Sequence, residues 1–119
     1  MASSFIDGPA KGAVLQLQRT PIMLRVVQDG ANFDALNELA DFAKATESIH
    51  VYTMVGEPVR AMVDGVRNGK RAGWCASFAK YRHWPEEIPD ATLRDNDRWA
   101  EWCEANKDRI LESRKVNHE

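Results

Sequence analysis

The stretch VRAMVDGVRNGKRAGWCASFAKYRHW, residues 59–84, decides how this chain folds. Two strand-like runs flank Asn68 and Gly69. That dipeptide suits a type I′ turn, whose two central residues both take positive φ, so the pattern predicts a β-hairpin. Val59, Ala61 and Val63 alternate with Arg60, Met62 and Asp64, the period of a strand. The second run, residues 71–84, is long enough to invite a bulge, and Gly73 is the natural place for one.

Working outward, the same period recurs. Residues 14–18 and 22–28 read as strands, with Pro21 at a strand start and Asp29-Gly30 as a turn. Residues 49–55 read as another, closed by Gly56, Glu57 and Pro58. Phe33, Leu36, Leu39 or Ala40, and Ala43 have helical spacing among good helix formers, so residues 33–46 are expected to form a short helix, with a structured loop as the alternative. Residues 1–12 read as an irregular lead-in.

After Pro85 and Pro89 the period changes to 3.6. Leu93, Trp99, Trp102, Cys103, Asn106 and Ile110 form one apolar stripe on a long helix expected to run to about Ser113, with residues 116–119 frayed. Asp90, Asp95 and Asp97 near its start and Arg109, Arg114 and Lys115 near its end complement the helix dipole. The expected fold class is α+β: one domain over 1–119, an antiparallel meander of four or five strands packed against a C-terminal helix.

The chain has 119 residues, 44% of them hydrophobic and 29% charged, an ordinary globular composition for a single domain. Its start lacks the basic and apolar regions of a secretory signal, and no run approaches the roughly 20 apolar residues of a membrane span. Two cysteines do not make a disulfide framework, so a reduced, cytoplasmic setting is expected without membrane attachment. Size and lack of motifs match the small accessory proteins carried by phages and mobile elements.

Charge is distributed unevenly. Residues 59–84 carry six basic groups and one acidic group, whereas residues 1–58 carry four and seven, and residues 85–119 carry six and ten. Within the positive island, alternation would put Trp74, Phe78, Lys80, Arg82 and Trp84 on one face, with Tyr81 and His83 on the other beside Cys75, Ser77 and Ala79. Rings beside cations suit an anionic partner. Arg25 and Arg60, His50 and Tyr52 could join that surface from neighbouring strands. The plain alternative makes Trp74 and Phe78 core and the cations a solvated end.

The expected function is therefore a small, soluble, non-enzymatic binding module. It would use Arg60, Lys80, Tyr81, Arg82 and Trp84 to bind a small anionic ligand or an acidic protein partner, and it would self-associate. A net charge of −2 disfavours nucleic acid. The alternatives are an acid–base enzyme using His50, His83 and a nearby carboxylate in a pocket between sheet and helix, and a structural assembly subunit.

No catalytic, cofactor or metal site is read from the sequence. Gly65 to Arg71 fails as a phosphate loop: three residues separate the glycines, Arg71 replaces the Mg²⁺-binding hydroxyl, and a strand follows. Cys75, Cys103, His50 and His83 lack the paired spacing of a zinc site, and Asp95 to Asp97 lack an EF-hand's glycine and distal glutamate. His83 would lie roughly 26 Å along the strand from Cys75, too far to activate a thiol. Glu86, Glu87 and Asp90 read as a solvated loop.

Overall fold

The computed structural model describes residues 2–17, 20–36 and 43–115, with residues 63, 67, 72 and 74–76 described by backbone alone. Seven strands precede three helices: β1 (Ala2–Phe5), β2 (Val14–Gln16), β3 (Met23–Asp29), β4 (Asn32–Leu36), β5 (Ser48–Met54), β6 (Val59–Arg67), β7 (Lys70–His83), α1 (Asp90–Arg94), α2 (Asn96–Ala105) and α3 (Lys107–Ser113). All the strands join one sheet in the order β2-β1-β7-β5-β3-β4, with β6 also against β7.

The α+β class holds, but the sheet is larger than a four- or five-stranded meander. The lead-in is not irregular: β1 pairs parallel to β7, Ala2 opposite Phe78 through Phe5 opposite Tyr81. The expected helix start at residue 33 is instead β4, antiparallel to β3, where Phe33 and Ala35 pack on the core. Residues 37–42 of that expected helix and the expected frayed tail at 116–119 lie outside the described residues, as does Gln18.

The hairpin forms as the sequence predicts. Asn68 has φ 51° and Gly69 φ 76°, and the register runs from Arg67 opposite Lys70 to Val59 opposite Phe78. Gly73 stands opposite Asp64 in unbroken register, so β7 has no bulge there. The irregularity lies on the other strand. Met54 pairs with Tyr81 and Val59 with Phe78, so residues 55–58 span only residues 79 and 80 of β7. Gly56 and Pro58 break the ladder at that point. β5 and β6 are thus two segments that share one edge of β7.

The sheet is covered on both faces. Phe5, Leu24, Val26, Tyr52, Met54 and Tyr81 build one core with Ala10 and Leu17. Met23, Val51 and Trp84 build the other with Ile88, Leu93, Trp99 and Ile110 from the helices. That is why β3 is buried at five successive positions, Met23 to Val27, instead of alternating.

The single long helix is three short ones. The Asp95 carboxylate caps α2 by accepting from the Asp97 and Arg98 amides at 3.0 and 3.1 Å. Asn106, with φ −109°, separates α2 from α3 while its side chain donates to the Trp102 carbonyl. The expected stripe still faces the sheet: Leu93, Trp99 and Ile110 are buried, and Trp102 and Cys103 pack beside them.

Candidate functional site: a cationic ribbon and a two-histidine cleft

Beyond the Val59–Phe78 pair, β6 and β7 form a two-stranded arm. β1 begins opposite Phe78, so residues 70–77 of β7 have β6 along one edge and no strand along the other among the described residues. At roughly 3.3 Å per residue the 14-residue β7 is about 46 Å long, which accounts for the 50 Å long axis of the protein.

The arm carries part of the positive island, and the rest, Lys80 and Arg82, lies at its root, where β7 pairs with β1 and β5. Arg60, Lys70, Arg71 and Lys80 are exposed and Arg82 is half-buried. Alternation sets Lys70, Lys80 and Arg82 on one side and Arg60, opposite Ser77, with Arg71 on the other. None of the five makes an ion pair among the described residues. Four of the six cations near the helices differ: Arg94, Arg109, Arg114 and Lys115 pair with Asp90, Glu86, Glu57 and Glu112, while Arg98 and Lys107 make no ion pair among the described residues.

Five contact residues were expected from the sequence, and the structure does not assemble them on one face. Arg60, Lys80 and Arg82 reach solvent. Tyr81 is completely buried, its ring stacked on Phe5 at 5.7 Å and its hydroxyl donating to the Pro21 carbonyl at 2.7 Å. Burial raises its phenol pKa. Trp84 lies in the helix-side core, edge-on to Trp102 at 5.7 Å, with the Arg109 guanidinium 5.7 Å from its ring centroid. Neither is a surface contact, because both faces of the sheet are covered.

Arg25 and Tyr52 move inward for the same reason. The Arg25 guanidinium donates to the Leu93 carbonyl at 2.9 Å and to Asn96 Oδ1 at 3.0 Å, and sits 5.4 Å from the Trp99 ring centroid. The Tyr52 hydroxyl donates to the Asp7 carbonyl at 2.9 Å and accepts from the Ala10 amide at 2.8 Å. Phe78 is exposed; the side chains of Trp74 and Cys75 lie outside the description.

A second feature is an open cleft of about 420 Å³ at the opposite end of β7. Ile49, Val51, Trp84, Ile88 and Leu93 line it, and His50, His83, Glu86, Glu87 and Asp90 add polar groups. His50 Nε2 lies 2.8 Å from Gln28 Oε1. The Gln28 amide nitrogen donates to the Gly30 carbonyl at 2.9 Å, which fixes Oε1 as the acceptor. His50 therefore donates through Nε2, and Nδ1 is the basic nitrogen of the neutral ring. Burial, and then the neighbouring His83, lower the His50 pKa below its usual 6.5.

The segment after β1 fixes His83. Its amide donates to Asp7 Oδ1 at 2.6 Å. Gly8, at φ 70°, passes so close that a Cβ there would stand 2.7 Å from His83 Cβ. Asp7 and Gly8 escape a sequence reading; the only signal is the Asp-Gly-Pro turn pattern.

Among the described residues no group of three His, Cys, Asp or Glu side chains is placed to hold a metal ion. Burial pushes the Cys103 thiol up to about 11, far from a nucleophilic thiolate at neutral pH. No helix among the described residues is long and apolar enough to cross a membrane. Comparison with protein-family models, with curated proteins and with solved structures finds no match to this chain.

Proposed function

We propose that the chain is a non-catalytic binding module that grips an acidic protein surface with its β6–β7 arm. One observation carries the reading. Four of the six cations beside the helices, Arg94, Arg109, Arg114 and Lys115, have a carboxylate, whereas Arg60, Lys70 and Arg71 on the arm, and Lys80 and Arg82 at its root, have none among the described residues. Charges left solvated on a projecting element steer and orient an oppositely charged partner. The ribbon's cations point to both sides, which suits insertion between acidic groups more than contact with a flat surface.

Fluorescence anisotropy with labelled poly-L-glutamate at low salt tests this. Binding should fall with added salt. The Lys70→Glu, Arg71→Glu double variant should weaken it by about tenfold or more, equal to 1.4 kcal/mol. Equal binding by variant and wild type would reject the arm. Tighter, arm-dependent binding to duplex DNA than to polyglutamate would replace the acidic protein with nucleic acid.

A second reading has its own observation. The cleft gathers His50 and His83, from β5 and β7, with Glu86, Glu87 and Asp90. A histidine held neutral beside carboxylates is the composition of a general acid–base site. Turnover of chromogenic ester or phosphoester substrates that is lost in His50→Gln would favour it. No turnover, together with intact arm-dependent binding, would leave the binding module alone.

A further inference from the structure

Two apolar features lack a partner among the described residues. The first is the arm: Val59, Met62, Val66 and Phe78 are 61, 71, 69 and 42% exposed. A two-stranded ribbon is marginally stable alone in water, and exposed apolar groups concentrated on one projecting element mark an interaction surface. The second is an open groove of about 450 Å³ between the start of β3 and helices α2 and α3. Its floor is Met23, Trp99 and Ile110, with Cys103 and Ile22 beside them, and Leu111 stands at the rim, 44% exposed.

The arm cannot fold over its own groove. The groove rim at Leu111 stands beside Gly56 and Glu57 at the root of the arm, and the hairpin tip lies about nine residues, roughly 30 Å, further out along the straight ribbon. The charges of the two regions match in size and oppose in sign. Residues 59–84 carry six basic groups and one acidic; residues 85–113 carry nine acidic and four basic. Glu101, Glu104, Asp108 and Glu112 are exposed along α2 and α3; Lys107 shares the groove rim.

We propose that two copies of this chain exchange arms: the β6–β7 ribbon of each lies in the α2–α3 groove of the other. Met62 and Val66, which share one face of the ribbon with Arg60 and Arg71, fill the groove, and those two arginines face the helix carboxylates. The exchange is isologous, so it closes at a dimer. It rests on the arm-binding reading above and identifies the acidic surface as the chain's own.

Sedimentation velocity on the full chain tests it, using variants at exposed positions so that folding, checked by circular dichroism, is retained. Wild type should dimerise with a Kd of about 10 µM or below. Val66→Glu on the arm and Leu111→Arg at the groove should each weaken the dimer at least about tenfold. Mixed one to one, the two variants should form a heterodimer more readily than either alone, because one intact arm then meets one intact groove. A monomeric wild type, a dimer indifferent to both variants, or a mixture with no gain would each overturn the exchange.

Polyglutamate binding separates this failure from failure of the arm-binding reading. Leu111→Arg frees the arm and should bind the polymer more tightly than wild type. A monomeric wild type that binds polyglutamate through Lys70 and Arg71 contradicts only the dimer. Loss of both the dimer and arm-dependent polymer binding contradicts both.

Discussion

Arg114, at the end of α3, donates to Glu57 Oε1 at 2.9 Å and through the same nitrogen to the Gly56 carbonyl at 3.1 Å. The Gly56 amide donates back to the Arg114 carbonyl at 2.8 Å. The C-terminal end of the helices is thereby tied to the break between β5 and β6, the root of the arm. The Arg114 side chain is largely covered, while Glu57 is exposed.

Arg114→Ala should therefore cost about 1–2 kcal/mol, since it removes charge-assisted bonds at a largely covered site. Glu57→Gln should cost less than about 1 kcal/mol, because that carboxylate is solvated and the carbonyl bond remains. Urea denaturation gives both values. Amide exchange in residues 59–78 should accelerate in Arg114→Ala beyond the loss of global stability, because the root is freed first.

Gly8→Ala should destabilise by about 2 kcal/mol or more. The residue sits at φ 70°, and its Cβ would meet both His83 Cβ and the Tyr52 hydroxyl within 3 Å. The expected signature is a shift of the His83 and Tyr52 resonances with little change at the hairpin tip. A neutral outcome in thermal melts would contradict the close approach.

The His50 titration gives a pH prediction. The folded-state pKa is lowered, first by burial and then by His83. As pH falls below 6.5 the unfolded chain binds a proton that the folded chain resists. The contribution is fully present above that value and is lost as pH falls through the folded pKa. NMR should place the His50 midpoint below 6.5, and His83→Gln should raise it only partway, because burial is the larger cause. The urea midpoint should be lower at about pH 5.5 than at pH 7.5.

Cys103 should alkylate slowly at neutral pH and accelerate towards pH 11, where its thiol ionises. Mass analysis of the peptide containing Cys103 after timed iodoacetamide exposure measures this. Fast labelling at about pH 7 would mean that the helix face is open.

Much of the fold was legible where signals are local. Asn68 and Gly69 announced the hairpin because a type I′ turn needs two positive φ angles, which they take. Leu93, Trp99 and Ile110 announced the helix layer through their period. β1 was illegible, because Ala2 finds Phe78 across most of the chain with no local cue. β4 was misread as helix because Phe33 and Leu36 satisfy helical spacing, while tertiary packing on β3 set the outcome.

The site was legible as charge and not as surface. The positive island was visible, and Arg60, Lys80 and Arg82 do reach solvent. Tyr81 could not share their role, since it alternates away from Lys80 and Arg82 into the first core. Trp84 has the parity of Lys80 and Arg82 but lies beneath the helices, and parity does not reveal which stretch of a face is covered. His50 and His83 are named together by the sequence as acid–base candidates on residue type alone; their meeting depends on the pairing of Tyr52 with His83.

On the proposed reading, the β6–β7 arm is where this protein meets its partner. Hydrogen exchange followed by mass spectrometry, with and without poly-L-glutamate, tests it most directly. Adding the polymer should bring new protection across residues 59–78 and no change in peptides spanning the cleft at residues 83–90. Protection at the cleft with an unchanged arm would contradict it.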